Sequence, residues 1–212
     1  MSRQLTSGVL GSREKGHPNL LAGWNFDNNF EDISGNNVVL TEEGTAHTFT
    51  DGYRNKAVVN TLDNNFIFNN PGILTTTDLI TICAWVYPTG TNRAGIVSSG
   101  VASQFLGQNT LERIHAYVNT TTVQGPVDTL PANTWSHIAA VWDGSLYSLY
   151  VNSVLIASAA SGGYNSIFDL WDLGRAALNN SRRWVGMFQE VYIFNKAMVP
   201  LELTEIASTP LK

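Results

Sequence analysis

The side chains best suited to hold a ligand fall close together in the run 175–184, RAALNNSRRW. Asn179 and Asn180 offer paired amide donors and acceptors, which suit sugar hydroxyls. Arg182 and Arg183 offer forked donors that suit a carboxylate or phosphate, on an acidic glycan or an acidic partner surface. Trp184 beside them can supply a stacking face, and Tyr164, after the Gly162-Gly163 pair, is the second such candidate. The competing reading of this stretch is a solvated polar loop. Carboxylate chemistry is poorly provided for. The acid and nucleophile of a retaining glycosidase flank one bond at about 5 Å, and residues of one strand share a face only at even spacing. Asp169 and Asp172 are three apart and Glu42 and Glu43 are adjacent, so neither pair qualifies. His17, His47, His115 and His137 never pair at ligand spacing, and no G-x-S-x-G elbow, H-E-x-x-H helix, P-loop or C-x-x-C pair occurs. His137 shares a strand face with Trp135. A general base there needs a nucleophile and an orienting partner, and neither can be named. It is expected to bond a neighbouring strand or loop. The chain therefore reads as a non-enzyme.

The elements that must position these residues are short strands. Residues 135–153, WSHIAAVWDGSLYSLYVNS, form a hairpin: two runs of β-branched and aromatic residues around Asp143-Gly144. A lone hairpin is at best marginally stable in water, so it needs a second sheet over its apolar face. Before it come a strand beginning at Leu20, an Asx-rich turn, and short runs VVL, HTFT, KAVVN and FIF within residues 36–70. Residues 79–87 form the strongest central strand. Ile80, Ile82, Ala84 and Val86 lie on one face, with Cys83, Trp85 and Tyr87 on the other. Residues 95–99, 105–107 and 113–118 follow as strands, and residues 119–134 read as a polar connection. After the hairpin come strands at 167–173 and 184–194. A short helix then spans 201–207, with Pro200 in its first turn.

W-x-H-I-A-x-V-W-D-G followed by L-Y-V-N resembles the laminin G-like, concanavalin A-like β-sandwich family. LLAGWNFDNNFEDISG, ITICAWVYP, and LGR with WVGMFQEVYIFNKAMVPLELTEI resemble the same family in the same order, over about residues 20–208. The resemblance implies an all-β fold: a two-sheet antiparallel sandwich of the concanavalin A-like jelly-roll kind with a short C-terminal helix. It places Trp24, Trp85, Trp135 and Trp142 at core positions. Trp171 shares a face with Leu173 and is read as core too, which leaves Trp184 as the exposed tryptophan. Members often hold a structural Ca²⁺ near one edge. Asp32 matches one expected ligand, and Gln189 stands where an aspartate is expected. A Gln carbonyl oxygen can ligate Ca²⁺ but brings no charge, so the resemblance implies a site weakened or lost. Otherwise Asp32 closes an Asx turn and Gln189 bonds a neighbouring strand or loop. The fold hosts lectins, adhesion modules and glycosidases, so function does not follow from it.

Composition bounds the rest. The chain of 212 residues suits one large all-β domain, 20–212, behind an arm or linker, 1–19. A net charge of −5 argues against a nucleic-acid groove, where a basic stripe is expected. Cys83 is the sole cysteine and reads as a buried small hydrophobe, so no intrachain disulfide forms. No apolar run reaches transmembrane length, and the N-terminus lacks an apolar signal core. The opening M-S-R-x-L-x-S-G-V loosely resembles the start of some phage tail proteins. The expectation is a non-catalytic recognition module on a virion, an oligomer within a larger assembly, contacting a host glycan or a neighbouring virion protein. The alternatives are a purely structural decoration or cement protein, a glycosidase relative, and an extracellular location reached without a signal peptide.

Overall fold

The computed structural model describes residues 17–69, 79–90, 94–99, 103–163, 170–176 and 182–212. Its strands form two antiparallel sheets. The larger runs, edge to edge, through Val154–Ala160 (β13), Leu146–Val151 (β12), Ser136–Trp142 (β11), Ile80–Pro88 (β6), Gly186–Phe194 (β15), Lys56–Asn60 (β4) and Thr48–Asp51 (β3). Leu20–Trp24 (β1) pairs with the second half of β15. The smaller sheet runs through Thr121–Gln124 (β10), Ile114–Val118 (β9), Ser103–Gln108 (β8), Ala94–Ser99 (β7), Leu170–Leu173 (β14), Asn64–Asn69 (β5) and Thr41–Gly44 (β2). One helix, Pro200–Ser208 (α1), is seen among the described residues.

Side chains alternate along a strand, and here both faces of the larger sheet are used. Ile80, Ile82, Ala84 and Val86 of β6 point between the sheets with Ile138, Ala140 and Trp142 of β11, and meet Phe66, Phe105 and Trp171 from the smaller sheet. Cys83, Ala139, Val141, Tyr192 and Phe194 point the other way, where Leu203 and Ile206 of α1 cover them. The helix starts as expected: Pro200 sits in the first turn, and the Glu202 carboxylate accepts the Val199 N–H at 3.1 Å. Cys83 lies in this second cluster, fully buried, and burial pushes its thiol pKa up, so it is an inert hydrophobe.

The expected hairpin is present. Asp143 Oδ1 accepts the N–H groups of Ser145 and Leu146, and Gly144 has φ +96°. Three expectations need correction. The run VVL is not a strand; β2 follows it at Thr41–Gly44. Val38 and Leu40 are buried all the same, and the Val38 carbonyl accepts Trp24 Nε1–H at 3.3 Å. Residues 119–134 are not all connection, because β10 lies within them, entered by a turn with Asn119 and Thr120 at positive φ. A strand not expected at all, β13, follows the Asn152-Ser153 turn, where both residues again have positive φ. It is an edge strand with no buried residue, so no apolar alternation marks it. Of the expected arm, residues 1–16 lie outside the described residues. His17 packs edge-on against Phe194 at 5.2 Å.

Candidate ligand-binding site on the outer face of the larger sheet

Where α1 ends, the outer face of the larger sheet is left open as a basin of about 860 Å³. Its floor follows from strand register. His137 of β11 lies opposite Trp85 of β6, and Trp85 lies opposite Gln189 of β15, so the three side chains stand in a row on the outward face. Tyr53 and Arg54 of the turn between β3 and β4 form one wall. Asn152 and Ser153 of the turn between β12 and β13, with Trp135, form another. Thr204, Ala207 and Ser208 of α1 close the third side.

A β-bulge builds the first wall. Between Gln189 and Tyr192 the register of β15 on β6 slips, and Glu190 takes φ +54°. Phe188 and Val191 thus stay in the sandwich core while Gln189 and Tyr192 both face outward. Gln189 Oε1 accepts the backbone N–H groups of Tyr53 at 2.8 Å and Arg54 at 3.3 Å, which pins the turn over the sheet. Arg54 Nε donates to Glu190 Oε1 at 3.1 Å and its Nη2 donates to Oε2, a two-point fork. The Tyr53 ring then stacks on Trp85 at 4.0 Å and 20°, with the Arg54 guanidinium 5.7 Å from the Trp85 ring. On the opposite wall, Asn152 Oδ1 accepts the His137 backbone N–H at 3.0 Å, and the His137 carbonyl accepts the Asn152 N–H at 2.7 Å.

The electrostatics follow from burial. The His137 ring is driven down to a pKa of about 3, first by burial and second by the Arg54 charge, so it is a neutral imidazole at physiological pH. Burial raises the Glu190 pKa, while Arg54 pulls it back down. Trp85 Nε1, His137 Nε2 and Gln189 Nε2 are buried without a hydrogen-bond partner among the described residues. Trp142 and Trp171 Nε1 in the inter-sheet core are unpartnered in the same way, so these three nitrogens do not by themselves mark a ligand site.

The residues singled out in sequence are distributed differently. Tyr164, Asn179 and Asn180 lie outside the described residues. Arg182 is exposed. Arg183 donates from Nη1 to the Leu62 carbonyl at 2.8 Å, and its backbone bridges Gly95 and Arg175. Trp184 is not the exposed tryptophan. It is 1% exposed, stacks on Phe188 at 4.4 Å and donates Nε1–H to Gln108 at 3.1 Å. Its N–H bonds the Gly174 carbonyl, which turns the side chain inward. Trp85 and Trp135 do not join the inter-sheet core; both line the basin, Trp135 half-buried. Trp24, Trp142 and Trp171 are core, as expected.

Asp32 closes a turn. Its Oδ1 accepts N–H from Gly23 and Ser34, and its Oδ2 accepts the Ser34 hydroxyl and the Val38 N–H, all at 2.7–3.0 Å. Those four bonds fill the lone pairs of the carboxylate, as two backbone donors fill those of Gln189 Oε1. The expected Ca²⁺ ligands therefore do not fit a metal in this arrangement. Among the described residues no cluster of three His, Cys, Asp or Glu is placed to hold one. One carboxylate pairing invisible in sequence does form. Glu43 and Asp172 meet on Arg175, at 2.9 Å from Nη1 and 2.8 Å from Nε respectively. Both are held as counter-ions of one guanidinium.

The comparisons with known proteins concern the fold. Domain 4 of AbnA, a GH43 extracellular arabinanase from Geobacillus stearothermophilus solved with arabinotriose, superposes with a TM-score of 0.72 at 20% identity over 89% of this chain and 98% of that one. The binding domain of botulinum neurotoxin DC, in complex with SialylT, superposes with a TM-score of 0.69 at 15% identity over 90% of this chain. The binding domain of Paraclostridial Mosquitocidal Protein 1 superposes with a TM-score of 0.68 at 15% identity over 89%. The chain spans 51% of each of these two toxin domains. No curated protein matches by sequence. Residues 60–204, more than half of the chain, match the Laminin_G_3 family profile. With the sandwich seen in the structure, that match places this chain in the concanavalin A-like lectin/glucanases superfamily.

Proposed function

We propose that the chain is a non-catalytic recognition module for saccharides and that the basin beside α1 is its binding site. The observation that carries this is the pairing of aromatic faces, Tyr53 and Trp135, with uncharged polar side chains, Asn152, Ser153, Thr204 and Ser208, in one concavity. Sugars need both kinds of group: an apolar ring face to stack and hydroxyls to bond. The volume lies within the ~300–1,000 Å³ usual for small-molecule sites. The non-catalytic reading rests on the carboxylates. No Asp or Glu lines the described part of the basin, and Glu190 beneath it has both oxygens on Arg54. A glycosidase needs two carboxyl groups across one bond. The saccharide complexes of two structural relatives lend support by analogy of fold alone.

Placement on a virus particle is the finer part of the proposal. It rests on the resemblance of the opening segment, whose residues 1–16 lie outside the described structure. Electron microscopy of the source particle with a labelled antibody against the chain tests it, and absence of label on intact particles would refute it. A purely structural cement role is the competing class. A glycan array probed with the parent chain and with Tyr53→Ala and Arg182→Ala/Arg183→Ala variants decides among them. Binding lost with Tyr53→Ala and kept in the double arginine variant supports the basin. The reverse pattern moves the site to the 175–184 loop, and no binding by the parent favours cement.

A further inference from the structure

The charges and hydrogen-bonding groups around the basin narrow the class of ligand. Among the described residues two charged groups stand at it, Arg54 and the Glu190 beneath, and they neutralise each other. Two guanidinium nitrogens of Arg54 are committed to a carboxylate whose side chain is only 2% exposed. The remaining described lining residues are uncharged at neutral pH, His137 included. An anionic ligand would therefore leave water with no unmatched cation among the described residues to receive it, and burying a charge without a partner is costly.

The polar groups are sorted by wall. The strand-turn wall presents exposed Asn152, whose Oδ1 is taken by the His137 N–H, so that its amide nitrogen is the donor on that side. The helix wall presents Thr204 and Ser208, whose hydroxyl protons are donated to the carbonyls of Pro200 at 2.9 Å and Thr204 at 2.7 Å. Those two hydroxyls therefore offer acceptor lone pairs to the basin. A ligand spanning the two walls must accept at one side and donate at the other. A sugar hydroxyl does both, whereas a carboxylate only accepts and would face the helix-wall lone pairs.

Resting on the basin as the saccharide site, we infer that it selects uncharged saccharides and discriminates against sialylated and uronate ones. The full chain is titrated calorimetrically with neutral trisaccharides and with sialylated and uronate trisaccharides, at 50 and 500 mM NaCl. The same titrations use Thr204→Val, which removes the wall hydroxyl and keeps the shape, and Tyr53→Ala at the exposed rim. The expected result is binding of a neutral trisaccharide, with Kd changing less than twofold between the two salts, since screening acts on charge. Thr204→Val weakens it about tenfold, the loss of one hydrogen bond, and Tyr53→Ala weakens it too.

Preference for the acidic trisaccharides, with Kd rising tenfold or more at high salt and binding still lost in Tyr53→Ala, overturns the charge selection and leaves the basin as the saccharide site. Neutral binding indifferent to both substitutions removes the basin, and the inference with it. Binding of no saccharide by the parent overturns the recognition module itself. Circular dichroism of each variant at the titration temperature separates lost binding from lost fold. If Thr204→Val fails to fold, Tyr53→Ala and the salt series decide.

Discussion

Acid should destabilise this fold through His137, and the size of the effect follows from its burial. In the unfolded chain the ring titrates near 6.5; in the folded chain it titrates near 3. Above pH 6.5 the ring is neutral in both states and its contribution to stability is fully present. As pH falls below 6.5 the unfolded chain takes up a proton that the folded chain refuses until about pH 3. At pH 5 the unfolded ring is 6.5 − 5 = 1.5 units past its midpoint, so at about 1.4 kcal/mol per unit stability falls by about 2 kcal/mol. In a domain of this size that is roughly 4–8 °C in melting temperature. Burial also shifts two other groups, in opposite senses. Burial lowers the His47 pKa, which adds to the loss. Burial raises the Glu190 pKa, so the folded chain takes up its proton first and acid relieves some strain there. The difference between parent and His137→Gln isolates the ring, because glutamine keeps a polar head and does not titrate. Urea unfolding followed by tryptophan fluorescence at pH 7.5, 6 and 5 measures it. The variant should start less stable at pH 7.5 and lose about 2 kcal/mol less by pH 5. Parallel pH dependence in the two proteins would refute the reasoning, since the ring would then be free to protonate in the fold.

Four further outcomes are expected. Arg54→Met strands Glu190 as a buried carboxylate and should cost about 3–5 kcal/mol, most of it recovered on adding Glu190→Gln; a double variant as unstable as the single would show that the pair is not coupled. Gly52→Ala places a Cβ 2.8 Å from Gln189 Oε1, the acceptor that pins the turn, so unfolding in urea should come about 1–3 kcal/mol earlier; an unchanged midpoint would mean the turn yields freely. Trp184→Ala should cost about 3–5 kcal/mol, against less than about 0.5 kcal/mol if the ring were at the surface. Millimolar Ca²⁺ or chelator should leave the melting curve unmoved; a Ca²⁺-dependent rise that Asp32→Ala abolishes would restore the metal site.

Much of the architecture is local and so can be read along the chain. The 143–144 turn rests on an Asp that bonds its own neighbours and a Gly that tolerates positive φ. The central strand carries its alternation in its own residues, and Pro200 marks the helix start. Edge strands β10 and β13 carry no such mark, because a strand with one solvated edge and little burial needs no apolar period. Asp32 and Gln189 were each readable as ligand or as turn and loop bonds, and only the donors brought to them decide: Gly23 and Val38 for the one, Tyr53 and Arg54 for the other.

The basin shows the division most clearly. That Trp135 and His137 share a face, and that Trp85 opposes Ile82, Ala84 and Val86 on its own strand, follows from a period of two and was present in the sequence from the start. What that face meets was not. Cys83 and Trp85 are neighbours on the same side of β6, yet one is sealed under α1 and the other opens into the basin. The difference is set by where a nine-residue helix ends, more than a hundred residues away in the chain. The row of His137, Trp85 and Gln189 likewise depends on the order β11–β6–β15 in the sheet. Local side-chain chemistry chooses the strand and its two faces; the contacts between distant segments choose which face is core and which is a site.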